Sequence, residues 1–547
     1  MTIAAPEPAH VPDVLETLAQ LPNDEVYTPP KLVNAMLDIL PEHVWSEPDY
    51  TWLDPATKSG VFLREVTRRL MVGLADWEPD GVKRRDHILR HMIYGAAITQ
   101  MSGEIARRSL YQTKNATGAE IKDPALADIV VQLDTPDGNV PFVETEHLLD
   151  KMGARCLLCK APAKLIREQR ESYAYSFIHH TYPTKEMTAM KFDVIVGNPP
   201  YQIGTEGHGA TASTIYHLFV ERAIRLDPHY VLMITPSRWF AGGKGLDSFR
   251  DAMIADRRVA KLVDNPKLFD VFPSVEVKGG VSYFLWDREH NGDCEFSTRI
   301  DGQITSVSRR DLRQGKGVIV RDNRAVPILE KVQAASLPSV ESMCSVTKPF
   351  GLTMRSNYPG SVPEPFQGAV PLIYSNRVGY SRHDQIQRNH EWIGRWKVLL
   401  PMASDGHGRE VSYVLGEPIA LAPGSACTQT YFIAGMFDDR VHTANYAEYL
   451  ATKFVRFLVL QRKVTQHVTP DRFRFVPQMD FGQAWNDDDL YRHFGLSDDE
   501  VNYIEATIQE RSVNYSLDSP VPASHLPGGS NYGRQGEDDP NEEGDDE

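Results

Sequence analysis

Short apolar runs that close on Asp, Gly, Asn or Ser recur between helical patterns from Asp24 to about Asp287. They read YTWLDPA at 50–56, HMIYGAAI at 91–98, FDVIVGNPPY at 192–201 and HYVLMITPS at 229–237. Strands that end in a loop and feed a helix predict an α/β, doubly wound, Rossmann-like parallel sheet with its chemistry at the carboxyl ends of the strands. Residues 23–290 are expected to form this domain. Residues 112–190 break the rhythm and are read as a small inserted subdomain rather than a sheet unit. From residue 291 to 511 the pattern is mixed and less periodic, which predicts a second, α+β domain. The Pro- and Ala-rich residues 1–22 are expected to be flexible. Residues 512–547, rich in Pro, Gly, Ser and acids, are expected to be disordered.

Composition adds exclusions rather than an assignment. No apolar run approaches the roughly 18 residues needed to span a bilayer. The start, MTIAAPEPAHVPDV, has neither the basic nor the apolar segment of a secretion signal. Five cysteines in 547 residues do not form a disulfide framework, so reduced thiols and a cytoplasmic location are expected. The formal charge of −16 is unevenly spread: residues 516–547 hold nine acids and one arginine, half of the total. Any nucleic-acid surface must therefore be a local basic patch.

The most informative segment is Phe192-Asp-Val-Ile-Val-Gly-Asn198-Pro199-Pro200-Tyr201, a strand running into a rigid turn. Two prolines fix φ and remove backbone donors. Asn198 offers an amide oxygen, Pro199 a carbonyl and Tyr201 an aromatic face, a set that suits a planar amino group. Two acceptors on its N–H bonds raise electron density on a nitrogen whose lone pair is otherwise delocalised into a ring. Catalysis by such a set is positioning plus preorganised electrostatics. A base within a duplex must be flipped out to reach it.

Three elements then follow one another in an order that resembles the gamma-class adenine-N6 DNA methyltransferases of restriction–modification systems. They are Glu25-Val-Tyr27-Thr28-Pro29-Pro30-Lys-Leu-Val, Leu53-Asp54-Pro55-Ala56-Thr57-Lys58-Ser59-Gly60-Val-Phe62-Leu63 and the Asn-Pro-Pro-Tyr motif. The likeness continues through Pro236-Ser-Arg-Trp-Phe-Ala-Gly-Gly243 and the run Lys278 to Trp286, and more loosely from Trp396 to Pro477. It implies methyl transfer from S-adenosylmethionine to the amino nitrogen of adenine by Asn198, Pro199, Pro200 and Tyr201. It also implies a target-recognition domain in the carboxyl-terminal half. Expected partners are double-stranded DNA and a separate restriction endonuclease or helicase–nuclease, because no nuclease pattern stands before the catalytic segment.

A strand-to-helix turn with glycine can hold a ligand's polar groups on backbone donors. The resemblance assigns the methionine part of the cofactor to Asp54, Pro55, Ala56, Ser59, Gly60 and Phe62, with Tyr27, Thr28 and Pro29 nearby. Thr28 reads as a helix N-cap with Pro29 at the first helical position. Two departures stand out. Lys58 replaces a family glycine, so its side chain must point away from the ligand or contact its carboxylate. Ala97 stands where the family has a ribose-binding acid, leaving Thr99 or Gln100 as substitutes.

Two further constellations lie outside that frame. His147-x8-Cys156-x2-Cys159-x19-His179 supplies the four ligands of a tetrahedral structural zinc, with His180 as an alternative fourth; the other reading is a reduced Cys-x-x-Cys on a surface loop. Cys294, Cys344 and Cys427 show no partner pattern and read as core residues. Lys453, Arg456, Arg462, Lys463, Arg472 and Arg474 alternate with aromatics, as phosphate contacts with stacking require, or as the solvated face of an amphipathic helix would. The loop Ser404 to Gly408 could also approach DNA. Rival acceptors for the methyl group are cytosine N4, RNA and protein glutamine. A degenerate methylase that only binds DNA is the non-enzymatic alternative.

Overall fold

The computed structural model describes residues 28–123, 130–161, 163, 175–182, 191–203, 213–243, 245–267, 279–315, 317–353, 362–375, 377–404, 413–463 and 467–522. These fall into two units that divide after Ile319. The expected flexible start lies outside the described residues.

The first unit is built on an eight-stranded sheet. Its strands are β1 (Trp52–Thr57), β2 (Ile93–Ala97), β3 (Val194–Gly197), β4 (Tyr230–Pro236), β5 (Val259–Asn265), β6 (Val281–Asp287), β7 (Cys294–Ile300) and β8 (Gln303–Arg310), in the spatial order β8-β7-β5-β6-β4-β3-β1-β2. Strands β1 to β4 run parallel, as the repeated strand-to-helix pattern predicts. The sheet is nevertheless mixed: β6 inserts antiparallel between β4 and β5, and β8 turns back along β7. β1, β3 and β4 are buried along their whole length, which is why they read as continuous apolar runs rather than alternating ones. Trp52, fully buried, stacks on Trp45 at 5.0 Å in this core.

Three expected boundaries move. The first domain extends to Ile319 rather than 290, because β7 and β8 add to its sheet. The inserted segment does not begin at 112. Residues 139–142 lie along β2, with Gly95 N–H donating to Asn139 O at 2.9 Å, Ala97 N–H to Pro141 O at 3.0 Å, and a parallel bridge from Ala97 to Phe142. The third shift is at the carboxyl end. Residues expected to be disordered from 512 onward include a strand, Asn514–Ser516, and are described as far as 522. Backbone pairing to a sheet edge, invisible to composition, orders them; residues 523–547 lie outside the described residues.

The second unit, from Val320, is mixed α and β, as expected. A three-stranded sheet orders β10 (Arg377–Ser381), β9 (Val370–Tyr374) and β13 (Ala426–Cys427). A four-stranded one orders β14 (Tyr431–Phe437), β11 (Trp396–Pro401), β12 (Ile419–Leu421) and β15 (Asn514–Ser516). Cys294 and Cys427 are buried and Cys344 is half-buried. No helix among the described residues is long and apolar enough to cross a membrane.

The edge segment at 139–142 is held by one buried cation. Arg107 donates to Lys114 O at 2.6 Å and Val140 O at 3.0 Å, and pairs with Asp137 at 2.9 Å. Arg107→Ala leaves these carbonyls short of donors and should destabilise the unit by about 2–4 kcal/mol. Hydrogen exchange at the Gly95 and Ala97 amides should accelerate selectively; unchanged protection there would show that Arg107 does not hold the edge.

Candidate functional site

The chain moves from β1 to β2 on one side and later places β3 on the other, so β1 lies at a reversal of strand order. Crevices at such points, beyond the carboxyl ends of the strands, are where open α/β sheets bind ligands. Here β1 ends in Asp54-Pro-Ala-Thr57 and β3 ends at Gly197 before Asn198. The helix after β1, α2 (Val61–Gly73; α1 is Pro30–Leu37), starts from Gly60 with φ 75. A side chain at Gly60 would also press on the Ala106 backbone at 3.0 Å, so glycine is required twice over.

A cleft opens at this junction. It is lined by Thr28, Asp54, Ala56, Lys58, Ser59, Gly60, Val61, Phe62 and Asn198. Of the cofactor residues expected from the sequence, Thr28, Asp54, Ala56, Ser59, Gly60 and Phe62 gather here. Pro29 and Pro55 are not part of the lining, and Tyr27 lies outside the described residues. Val61 carries no sequence signal of its own: its apolar side chain is indistinguishable from core.

Asp54 is 3% exposed, and its Oδ1 accepts from Ala56 N–H at 3.1 Å. Burial pushes its carboxyl up to about 7, while the Ala56 hydrogen bond and then the Lys58 charge pull the other way. The carboxylate fits because its neighbour on β3 is Gly197, where a Cβ would come within 2.8 Å of Asp54 Oδ1. Lys58, 7% exposed, lines the cleft, so of the two alternatives set by its replacing glycine, it faces the ligand space.

Thr28 does not cap a helix. Helix α1 begins one residue later than expected, with Pro29 as the cap and Pro30 as its first residue. The Thr28 hydroxyl instead accepts from Asn198 Nδ2 at 2.9 Å. This bond turns Asn198 so that Oδ1 faces away from Thr28. Thr99 is likewise committed: it caps α3 (Gln100–Tyr111) in a reciprocal box with Ser102, at 3.0 and 2.9 Å. Its hydroxyl oxygen accepts a hydrogen bond within the helix cap, and Thr99 is absent from the cleft lining. Pro199 and Pro200 are buried. Tyr201 is 9% exposed, edge-on to Tyr216 with ring centres 6.4 Å apart.

The four predicted metal ligands, separated by up to 32 positions in the chain, come together. One donor atom from each of His147, Cys156, Cys159 and His179 lies within 4.8 Å of all the others. His180 is not part of this group.

The basic residues expected to contact DNA are placed differently. Arg456 is fully buried and donates to Ala451 O at 2.9 Å and Tyr413 O at 3.2 Å. Arg462 and Lys463 are also buried, and Arg462 donates to Asp471 O at 2.9 Å. Arg472 donates to Arg462 O at 2.8 Å. Lys453 pairs with Glu505 and Glu510 at 2.6 and 2.8 Å, and Arg474 with Glu341 at 2.9 Å. These cations tie helix ends and loops of the second unit together and do not form an exposed phosphate-binding face. Of the polar loop at 404–408, all but Ser404 lies outside the described residues.

Residues 91–272 match the family described as Eco57I restriction-modification methylase. Over 325 residues the chain is 34% identical to a protein of Mycoplasma pneumoniae described as an uncharacterized adenine-specific methylase, covering 55% of this chain and 76% of that protein. Solved structures similar to it include the methyltransferase subunit of a type I restriction-modification system from Streptococcus thermophilus (14% identity, TM-score 0.32, 53% of this chain and 52% of that one). Another is a nuclease-deletion mutant of the Type ISP restriction-modification enzyme LlaGI in complex with a DNA substrate mimic (11%, 0.46, 81% and 45%). The chain spans about half the length of these solved structures.

The buried Asp54 yields a signed expectation. Its carboxyl titrates near 7 in the fold, against about 4 in an unfolded chain. The folded, ligand-free protein therefore holds this proton more tightly, and stability is lost as pH rises from about 4 to about 7. Asp54→Asn should stabilise the ligand-free protein at pH 8 by about 1–3 kcal/mol, with the gain vanishing near pH 4. Denaturant titration at the two pH values measures it; a variant less stable than wild type at pH 8 would contradict the assignment.

Proposed function

The chain belongs to the adenine-specific methylase family, and from that premise we propose that it methylates the N6 amino group of an adenine flipped out of double-stranded DNA. The observation that carries this reading is that Asp54 and Asn198, at the ends of adjacent strands β1 and β3, face one cleft. A methyl donor held by the first then lies beside an amino group held by the second.

S-adenosylmethionine, when bound, supplies an electrophilic methyl group on a sulfonium that leaves readily. The cleft fits its methionine end. Asp54 would meet the ammonium, and the backbone of Ser59 and Gly60 at the start of α2 would meet the carboxylate. Lys58, in place of the family glycine, adds a cation toward that same carboxylate. With Thr99 committed to its helix, the ribose hydroxyls lack an acidic partner at the end of β2. Affinity in this reading rests on the methionine end.

Asn198 Oδ1 and the Pro199 carbonyl accept the two N–H bonds of the adenine amino group. Because Nδ2 donates to Thr28, the amide is turned so that Oδ1 is its acceptor toward the substrate. As nitrogen takes the methyl, one of its protons is lost, and the acceptors stabilise the charge that builds there. Tyr201, 9% exposed, offers the stacking face. Flipping costs a few kcal/mol of stacking and pairing, which contacts elsewhere on the DNA must offset.

The second unit is the segment proposed to recognise the target. Of its basic residues at 453–474, Arg456, Arg462 and Lys463 are buried and Lys453 and Arg474 are paired with carboxylates, so most phosphate contacts are expected from other surfaces. In this reading the chain is the modification component of a restriction–modification system, with cleavage supplied by a separate endonuclease or helicase–nuclease. Soluble thiol chemistry fits a cytoplasmic location.

The test is methylation-sensitive sequencing of DNA from cells producing the wild type or Asn198→Ala. A sequence motif bearing N6-methyladenine should appear with the wild type alone, and the variant's rate should fall by about 10²-fold or more. Methylcytosine, methylated RNA or methylated protein in its place would replace adenine as the acceptor. Normal methylation by Asn198→Ala would remove this site from the reaction.

A further inference from the structure

The segment between the edge residues 139–142 and β3 carries the four-residue cluster that methyl transfer does not use. His147 precedes a hairpin in which Leu157 N–H donates to Leu148 O at 2.7 Å and Asp150 N–H to Arg155 O at 2.8 Å, with an antiparallel bridge from Leu149 to Cys156. The hairpin returns into a tight turn over Cys156 to Cys159. Lys160 N–H donates to Cys156 O at 3.1 Å, Cys156 N–H to Ala161 O at 2.9 Å, and Lys160 takes φ 60. A non-glycine residue in the left-handed region is uncommon. Here it lets the chain reverse so that both sulfurs point to one side. The fourth member, His179, sits in a separate turn whose Phe177 stacks on Phe219 at 5.9 Å.

The spacing of the donors fits one ion. Metal–sulfur bonds of about 2.3 Å and metal–nitrogen bonds of about 2.0 Å at tetrahedral angles put neighbouring donors roughly 3.3–3.8 Å apart. His147 Nδ1 and Cys159 Sγ are 3.3 Å apart. All four donor atoms fall within 4.8 Å of one another, and the imidazoles of His147 and His179 cross at 88° with centres 5.2 Å apart. Perpendicular rings aim two nitrogens inward without stacking. His179 Nε2 is buried and has no hydrogen-bond partner, and both cysteines are 1% exposed. A buried ring nitrogen with nothing to bond is costly unless something fills its place.

We propose that His147, Cys156, Cys159 and His179 bind a structural zinc ion that pins the hairpin to the turn at residues 175–182. Two thiolates balance the double charge of the cation, which leaves the site neutral in its buried setting. Four protein ligands leave no open position, so the ion takes no part in catalysis. Its work is mechanical. The ion ties the hairpin that carries Cys156 and Cys159 to the turn that carries His179. Cys156, Cys159, Phe177 and Tyr182 pack in the same apolar core as the β1 and β3 strands. Loss of the ion would therefore loosen the packing behind the cleft.

Metal content of the full-length protein, purified without chelator and free of cofactor and DNA, tests this apart from methylation. Mass spectrometry should find about one zinc per chain, falling below about a tenth in Cys156→Ser/Cys159→Ser and staying near one in Cys294→Ser. If the double variant does not fold, cobalt exchange into the wild type decides. Tetrahedral d–d bands with thiolate charge transfer are expected, and their loss in His179→Ala assigns the fourth ligand. Wild-type protein that carries no zinc and gives no such spectrum overturns the proposal, as does a Cys156–Cys159 disulfide in freshly isolated protein.

Discussion

Strands β1 and β3 lie side by side with the Asp54 carboxylate against Gly197 near their carboxyl ends, and that closeness governs the rest of the site. Gly197 makes it possible, since any side chain there would meet Asp54 Oδ1. The strands pair in register from Trp52 with Val194 and Leu53 with Ile195, and Asp193 holds Thr51 at the start of β1 at 2.8 Å. Asp54 is thus carried to the rim beside Asn198. The cost is a carboxyl buried enough to titrate near neutrality, which a ligand's ammonium would relieve. Instability in the ligand-free protein and affinity for the ligand have the same origin.

A second constraint acts from outside the sheet. The Thr28–Asn198 hydrogen bond joins positions 170 residues apart and settles which way the asparagine amide faces. Helix α1, which follows Thr28, is tied to α2 through Asn34 Nδ2 and Glu65 Oε2 at 3.1 Å, and through Arg69 and Asp38 at 2.7 Å. The helix that starts at the cleft is therefore also tied to the helix that follows Thr28, the partner of the Asn198 amide. Thr99 likewise follows β2 and starts α3, its hydroxyl oxygen accepting from Ser102 N–H.

Charge patterns proved the least readable feature. Basic residues at 453–474 interleave with aromatics in a way that suits either nucleic acid or internal bracing. Arg456 and Arg462 are buried because their planar heads satisfy backbone carbonyls at helix and loop ends, and the Arg462 guanidinium also lies over Phe475, 5.1 Å from its ring centre. Nothing in the spacing separates a cation that seeks phosphate from one that seeks a carbonyl. The difference lies in the partner, and the partner is remote in sequence.

What the sequence determined by itself was local. The apolar runs at β1 to β4 and the turns that follow β1 and β3 depend on near neighbours, and these were legible. Tertiary structure decided the rest. It inserted β6 antiparallel, added β7 and β8 to the first sheet, paired 139–142 with β2, and drew Asn514–Ser516 out of an acidic tail into a sheet edge. It also exchanged the expected cap at Thr28 for a bond to Asn198. The physical reason is common to these cases. Each is settled by a hydrogen bond or strand pairing to a distant residue, and a backbone group's partner leaves no mark on the side chain that sits beside it.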